Sequence, residues 1–236
     1  MENKYQTPRV IQRDNKYVLR FAETDDQSII DPESPSELLA EYTKFCALPL
    51  YHHHSMKNVL ALGGGGYMIQ RHLLRLNASI TVDTVEINPL VTQLAYEYFC
   101  LAPDNRLRII HHDAASFLQT CTEMYDYIVV DVYDGLQIPE SCKTICFYQD
   151  IARVLADGGI VMLNIISTLL PDSELMSAIE KLSKYFLYHE IFLTANTFVY
   201  KHIPDNCLLF VSNQPLALSS GYPNKWAKKN KLVMEE

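Results

Sequence analysis

The sequence lacks an excess of positive charge, a long apolar run and any paired-cysteine motif. Its 236 residues include 20 Lys and Arg against 28 Asp and Glu, and the resulting net charge of -8 argues against a nucleic-acid or anionic-membrane surface. The longest nearly uninterrupted apolar run, 160–170, is too short to cross a bilayer, and residues 1–14 contain no apolar signal-peptide core. These absences predict a cytoplasmic protein with neither a nucleic-acid nor a membrane partner.

Metal ligation is not indicated either. The six cysteines include no C-x-x-C pair, which indicates reduced thiols rather than a disulfide framework or a zinc site. The histidine runs 52–54 and 111–112 consist of adjacent residues, and adjacent side chains on a strand or loop point in different directions. They cannot all face one ion, so we expect no metal.

Glycine is scarce, and its distribution is the most informative feature of the chain. Of eight glycines, four form the run Gly63–Gly66, which follows the apolar stretch 58–62 and precedes a second apolar stretch that ends in Glu86. This order predicts a strand, a glycine turn, a helix and a second strand with a carboxylate at its tip. Glycines allow a ligand to approach the backbone, and such a carboxylate can accept both ribose hydroxyls. A nucleoside-binding βαβ unit is therefore expected, with a purely structural turn as the alternative.

Phosphate-binding patterns are missing from this unit. The dinucleotide pattern G-x-G-x-x-G fails in both registers, because its sixth position falls on Met68 or Ile69, and no G-K-[S/T] follows. A sulfonium nucleoside of the S-adenosylmethionine kind is the leading ligand.

The rest of the chain alternates between strand and helix patterns. Residues 1–56 read as an N-terminal extension with a strand or hairpin at 17–21, a turn at 24–26 and a helix from about Ser36 to Leu48. The segment 57–218 reads as a nucleoside-binding domain, and 219–236 as a basic, frayed tail. The domain's expected strands are 59–62, 80–86, 107–111, 127–131 and 160–166, with helices at 68–76, 89–99, 114–119, 147–155 and 172–186 and an antiparallel pair at 191–194 and 207–212. This pattern predicts an α/β fold: a doubly wound, seven-stranded, methyltransferase-like (Rossmann-like) sheet.

Ligands of such sheets bind beyond the carboxyl ends of the strands, so the residues that follow each strand are the candidate site residues. After the third strand come Asp113 and Ala114. Asp113 either accepts a hydrogen bond from an adenine amino group or caps the next helix, and the two roles are compatible.

Asp131 and Asp134 follow the fourth strand and are the strongest catalytic candidates. An amine nucleophile has a pKa of about 10 and is protonated at neutral pH, so transfer to its nitrogen needs a carboxylate to remove a proton and others to hold the cation. The aromatic rings of Tyr133, Phe147 or Tyr148 are available to face a sulfonium charge. A loop with solvated acids is the alternative.

Several motifs together resemble the spermidine synthase (polyamine aminopropyltransferase) family, particularly its short bacterial spermidine-synthase-like members. They are V-L-A-L-G-G-G-G from Val59, V-E-I-N from Val85, H-D-A from His112, Y-D-Y-I-V-V-D-V-Y-D-G from Tyr125, and F-Y with a later L-x-x-G-G from Phe147. The N-terminal segment is also similar, at 17–21, Gln27-Ser28, Pro35, Leu38 and Tyr42.

The resemblance implies that decarboxylated S-adenosylmethionine binds as co-substrate and that a polyamine or other small amine accepts its aminopropyl group, releasing methylthioadenosine. It places the adenosine between the glycine loop and the carboxylates that follow the second and third strands of the domain. It is also compatible with a homodimer. The implied donor residues are Gln27, beside the methylthio and aminopropyl part, Gly63, Gly64, Gly65, Glu86 on the ribose, and Asp113 and Ala114 at the adenine. Asp131 matches the base, and Asp134 and Tyr133 belong to the amine side.

The chain departs from the family pattern at Gly66. The family loop reads G-G-G-D-G-G, and the resemblance implies that its Asp holds the amine of the donor; here that position is Gly66, followed by Tyr67. Two further functions therefore remain open. One is an S-adenosylmethionine-dependent methyltransferase, although no [N/D]-P-P-[Y/F] motif occupies 131–134. The other is a nucleoside-binding protein that has lost turnover.

Overall fold

The computed structural model describes residues 7–23, 25–53, 55–195, 203–218 and 231–232. Its N-terminal part is a three-stranded antiparallel sheet with the order β1 (Arg9–Arg13), β2 (Lys16–Arg20) and β3 (Asp26–Ile30). Asp14 and Asn15, both at positive φ, form the two-residue turn between β1 and β2, as the hairpin preference of these residue types predicts. The strand expected at 17–21 is thus one of three.

The helix predicted from Ser36 to Leu48 is wrong. Residues 31–37 form consecutive turns closed by hydrogen bonds from Ser34 N to Asp31 O (3.1 Å) and from Glu37 N to Ser34 O (3.0 Å). A 3₁₀ helix then runs over Glu41–Ala47, and the short helix α1 (Leu48–His52) follows it. The prolines at 32 and 35 favour turns over a helix, and Pro49 fits the first turn of α1.

The main sheet confirms the doubly wound prediction. Its seven longer strands are β4 (Asn58–Leu62), β5 (Thr81–Val85), β6 (Leu107–Ile110), β7 (Tyr125–Val130), β8 (Leu155–Ser167), β9 (Tyr188–Leu193) and β10 (Asp205–Ser212). The two-residue β11 (Lys231–Leu232) extends the sheet, whose order is β11-β9-β10-β8-β7-β4-β5-β6. Strands β4 to β8 are parallel, and the antiparallel pair β9 and β10 is also confirmed, with β10 next to β8. Apart from β11, the predicted tail lies outside the described residues.

Helices cover both faces of this sheet. They are α2 (Met68–Leu76), α3 (Pro89–Tyr98), α4 (Ala114–Thr120), α5 (Ile145–Val154) and α6 (Glu174–Leu182). Alternate residues of β4 show the two layers: Leu60 and Leu62 pack with α5 and α6, whereas Val59 and Ala61 pack with α2 and the 3₁₀ helix. Burial on both faces explains the continuous apolar runs. Within the described ranges, no helix has the length and apolarity to cross a membrane.

The strand order positions the site. From β4 the chain moves to β5 and β6 on one side and then returns to β7 on the other. The carboxyl ends of β4 and β7 therefore flank a topological switch point, where doubly wound sheets hold their ligands.

Candidate functional site

A cavity of about 590 Å³ lies at this switch point, and the N-terminal sheet contributes to its wall. Ten of the residues that the sequence proposes for the site line it: Gln27, Gly63, Gly64, Gly65, Glu86, Asp113, Ala114, Asp131, Tyr133 and Asp134. Phe147 and Tyr148 do not line it, because both lie on α5 with their side chains buried in the core. Of the three aromatic candidates, the cavity therefore includes only Tyr133.

Glu86 follows β5 and is buried beside the glycine loop. Its Oε2 accepts a hydrogen bond from Gly64 N and its Oε1 accepts one from Asn88 N, both at 2.8 Å. Burial raises the pKa of Glu86, and these backbone hydrogen bonds partly oppose the rise. A carboxylate has about four acceptor positions, so the group retains acceptor capacity for a ligand hydroxyl beside its backbone hydrogen bonds from Gly64, Gly65 and Asn88.

Gly63 is required by the contact between β4 and β7. Its φ is 98°, and a Cβ at this position would lie 2.1 Å from the carbonyl oxygen of Asp131. Gln70, on α2, fixes the turn by donating from Nε2 to the Gly63 carbonyl at 2.9 Å. The first glycine thus brings the glycine loop against the end of the strand that precedes Asp131.

Tyr67 is an unexpected member of the glycine loop. It has a φ of 55°, in the left-handed region that a non-glycine residue adopts at a cost of about 1–2 kcal/mol. Its ring is fully buried, and its hydroxyl is 2.7 Å from Thr92 Oγ1 on α3. Burial raises the pKa of Tyr67 and keeps the phenol neutral. The side chain therefore anchors the loop to α3, a role that sequence analysis does not reveal.

Asp113 caps α4. Its Oδ1 accepts hydrogen bonds from the backbone N–H and the hydroxyl of Ser116, both at 2.8 Å. The capping interpretation is confirmed, and the side chain also lines the cavity beside Ala114.

Asp131 is held at the end of β7 by two side chains from other parts of the chain. Tyr42 donates its hydroxyl to Oδ2 at 3.1 Å, and Asn164 donates from Nδ2 to Oδ1 at 2.9 Å. Burial raises the pKa of Asp131, and the two hydrogen bonds lower it in part. A carboxylate with a raised pKa is a better proton acceptor than a solvated one.

Asn164 is a site residue that was not predicted from the sequence. This side chain is buried on β8, and its Oδ1 has no hydrogen-bond partner among the described residues. The signal was present, because Asn164 is the one polar residue within the run 160–166 of an otherwise apolar buried strand.

Tyr133 and Asp134 lie on the loop after Asp131. The Tyr133 hydroxyl donates to the Asn164 carbonyl at 3.0 Å and accepts from Ile166 N at 2.8 Å, so the ring is fixed against β8. Burial, reinforced by the Asp131 charge, raises the pKa of Tyr133. Asp134 is exposed at the cavity edge.

Acidic groups dominate the electrostatics of the cavity. Its lining includes five carboxylates and, among the described residues, no Lys or Arg: Asp26, Glu86, Asp113, Asp131 and Asp134. Asp26 is neutralised by Arg13 and Arg20, the latter at 2.6 Å. The other four form no ion pair within the described ranges, and the same ranges contain no cluster of three or more His, Cys, Asp or Glu arranged for a metal. Such a cavity attracts cationic ligands.

A doubly wound sheet with a glycine loop, a strand-end carboxylate and a cavity at the switch point defines a domain of the methyltransferase-like (Rossmann-like) class. The chain belongs to the spermine/spermidine synthase domain family, whose model matches residues 40–218. This match begins inside the N-terminal extension expected from the sequence and includes Tyr42.

Curated relatives carry the name polyamine aminopropyltransferase. The protein of this name from Chromobacterium violaceum is 30% identical over 172 residues, which cover 72% of this chain and 65% of the relative. The chain spans about half the length of the first curated relatives that it matches.

Solved structures support the fold. A probable spermidine synthase from Corynebacterium glutamicum aligns with a TM-score of 0.81 at 20% identity, over 93% of this chain and 83% of that one. A spermidine synthase in complex with the transition state analogue AdoDATO aligns at 0.67 and 21% identity, over 97% and 80%. Human methyltransferase-like protein 13 in complex with SAH aligns at 0.61 and 20% identity, over 75% and 83%.

Proposed function

We propose that this protein transfers an aminopropyl group from decarboxylated S-adenosylmethionine to an amine and releases methylthioadenosine. The observation that carries the proposal is the environment of Asp131: a half-buried carboxylate, held by Tyr42 and Asn164, in a cavity whose other ionised groups are also acids. Family membership and the names of the curated relatives support the same reaction class.

The donor occupies the half of the cavity above β4, β5 and β6. Its ribose hydroxyls bind Glu86, which keeps acceptor capacity beside its backbone hydrogen bonds, and its adenine lies beside Asp113 and Ala114. The glycine loop supplies a backbone surface at Gly64 and Gly65. The sulfonium and the three-carbon arm then point toward β7, where Tyr133 offers an aromatic ring to the positive charge.

The acceptor amine occupies the half above β7 and β8. Asp134 attracts its ammonium form, and Asp131 removes one proton from the attacking nitrogen. The free electron pair of that nitrogen forms the new bond to the carbon next to sulfur. The carbon–sulfur bond breaks with its electron pair moving to sulfur, which leaves a neutral thioether as the product. Asn164 and Tyr42 orient the Asp131 carboxylate throughout.

The charge of the cavity favours the decarboxylated donor over S-adenosylmethionine itself. The additional carboxylate of S-adenosylmethionine would enter a space lined by four acids that form no ion pair within the described ranges. Two like charges about 8 Å apart repel by about 2 kcal/mol at an effective dielectric constant of 20, which corresponds to about 30-fold in affinity.

One observation favours methyl transfer as a second candidate. At Gly66, where the family pattern has an acid, a Cβ would lie 2.7 Å from the Phe99 ring and 2.9 Å from Ser28 Cβ. The loop therefore offers no carboxylate for the amine of an aminopropyl donor, and it cannot acquire one without rearrangement.

Calorimetric titration separates these candidates. Methylthioadenosine and decarboxylated S-adenosylmethionine lack the carboxylate that S-adenosylmethionine and S-adenosylhomocysteine carry. Tighter binding of the first pair is expected and would justify an amine screen for methylthioadenosine release. Preference for the second pair would favour the methyltransferase, and no binding by any of the four would indicate a protein without turnover. The Glu86→Ala variant serves as the control that the ligands occupy this cavity.

A further inference from the structure

Strand β3 contacts both loops on which the proposed reaction depends. Gln27 and Ser28 are consecutive, so their side chains leave the strand on opposite sides. Gln27 donates from Nε2 to the carbonyl of Gly135 at 2.8 Å, in the loop that carries Asp134. Ser28 Oγ accepts from the N–H of Gly66 at 2.9 Å, in the glycine loop. Two neighbouring residues thus connect one short strand to both halves of the cavity.

The contact between β3 and the glycine loop leaves no space for side chains on the loop. A Cβ on Gly66 would lie 2.9 Å from Ser28 Cβ, and a Cβ on Gly65 would lie 3.0 Å from Ser28 Oγ. Gly66 is therefore explained by the proximity of Phe99 and Ser28, and Gly65 by its φ of 50° together with the Ser28 hydroxyl. Ser28 consequently positions the glycine loop, which forms the surface that the nucleoside contacts.

The contact with the acceptor loop is equally specific. The loop turns between Asp134 and Gln137, whose backbones exchange hydrogen bonds of 2.9 and 3.3 Å. Gly135, at a φ of 64°, directs its carbonyl toward β3, where Gln27 donates to it. Asp134 and Leu136 on either side are exposed. Gln27 therefore ties an otherwise exposed turn to the N-terminal sheet.

We infer that Gln27 and Ser28 are positioning residues for opposite substrates. Ser28 positions the glycine loop for the nucleoside, and Gln27 positions the Asp134 loop for the amine. Strand β3 thereby fixes the distance between the donor's reactive carbon and the attacking nitrogen. This inference rests on the proposed function and assigns Gln27 to the acceptor side, whereas the resemblance to the spermidine synthase family implies a place beside the donor.

Paired binding measurements test the assignment. The dissociation constant of methylthioadenosine is measured first, and that of 1,4-diaminobutane is then measured in saturating methylthioadenosine. Gln27→Met keeps the length of the side chain but removes the donor, and we expect it to weaken diamine binding about 2- to 10-fold while changing nucleoside binding by less than about 2-fold. Ser28→Ala should show the reverse pattern: weaker methylthioadenosine binding and nearly unchanged diamine binding.

Controls distinguish positioning from a general loss of structure. Gln12→Ala, on the exposed edge strand β1, should change neither constant, and all three variants should melt within a few degrees of the wild type. Weakening of both ligands by Gln27→Met, or of methylthioadenosine alone, would overturn the assignment while leaving the proposed function intact. A wild-type protein that binds neither ligand would overturn the proposed function together with this inference.

Discussion

Asn164 donates its side-chain amide to Asp131 Oδ1 at 2.9 Å, and this hydrogen bond joins the ends of two adjacent parallel strands, β8 and β7. The bond stabilises the ionised form of Asp131 and so opposes the effect of burial, which raises the pKa of this carboxyl. The protonation state of the proposed base therefore depends on Asn164, a neighbour on the adjacent strand that also lines the cavity.

Replacement of Asn164 should change the pH dependence of the reaction. Asn164→Ala removes a hydrogen bond that lowers the pKa of Asp131, so that pKa should rise further and the acidic limb of the kcat/KM profile should move to higher pH. Turnover at neutral pH should fall about 10-fold. A pH-rate profile measures both effects, and an acidic limb in the wild-type position would show that Asn164 does not act on the base.

Asp131→Asn should reduce turnover about 10²- to 10⁴-fold and leave methylthioadenosine affinity nearly unchanged, because it removes the proton acceptor and keeps the shape of the side chain. Single-turnover kinetics and calorimetry give the two quantities. Asp134→Asn is the matched control, since it lies three residues along the same loop and should mainly raise the KM of the amine. Near-normal turnover in Asp131→Asn would remove its role as base.

The same substitution should stabilise the protein at neutral pH. Burial raises the pKa of Asp131 above its ordinary value of 3.8, so the folded state binds this proton more tightly than the unfolded chain. Stability from the protonated form is complete below the ordinary pKa and is lost as pH rises through the raised value. Asp131→Asn should therefore gain about 0.5–2 kcal/mol at pH 7 and almost nothing near pH 4. Urea denaturation across this range measures the difference, and a constant difference at all pH values would contradict the linkage.

Glu86→Ala should weaken nucleoside binding by about 1.5–3 kcal/mol through the loss of hydrogen bonds to a charged acceptor. It also leaves the N–H groups of Gly64 and Asn88 without this acceptor, so the free energy of unfolding should decrease as well. Glu86→Gln retains one acceptor oxygen. Its nucleoside affinity and its free energy of unfolding should therefore fall between those of the wild type and of Glu86→Ala. Calorimetry together with thermal denaturation separates the effects, and unchanged affinity in Glu86→Ala would remove the ribose assignment.

Gly63→Ala and Gly158→Ala form a matched pair. Both glycines have positive φ, but a Cβ at Gly63 would meet the Asp131 carbonyl oxygen at 2.1 Å, whereas the nearest atom at Gly158 is Gln214 Cγ at 3.9 Å. Gly158→Ala should cost about 1–2 kcal/mol from backbone conformation alone. Gly63→Ala should cost about 3–5 kcal/mol because β4 and β7 must also move apart. Equal melting temperatures for the two variants would contradict this explanation of Gly63.

The sequence predicted those parts of the structure that follow from local pattern. The apolar runs, the glycine turn and Glu86 imposed a βαβ unit, and the rule that ligands bind at strand ends then placed Asp113 and Asp131 at one cavity. Chain-distant contacts were not predictable in this way. Asn164 and Tyr42 reach Asp131 from 33 and 89 residues away, and the left-handed conformation of Tyr67 is stabilised by burial against α3.

The N-terminal segment shows the same limit. A helix is predicted from about Ser36 to Leu48, yet the chain forms turns and a 3₁₀ helix there, and Leu38 lines the cavity. Pro35 favours a turn at the start of this segment, whereas the packing of Phe45 and Cys46 against the main sheet is a chain-distant contact that the local pattern does not report.

The close approach of β4 to β7 has a practical consequence for redesign. Asp131 donates its N–H to the Leu62 carbonyl at 2.9 Å, so its backbone belongs to the hydrogen-bond ladder of the sheet. The turn at 134–137 is instead held by the hydrogen bond from the Gln27 side chain and by its own backbone hydrogen bonds. Substitutions in that turn can alter the shape and charge of the acceptor entrance without displacing the base. Amine selectivity should therefore be open to directed evolution through the exposed positions Asp134, Leu136 and Gln137, while the reacting centre keeps the rigidity of the sheet.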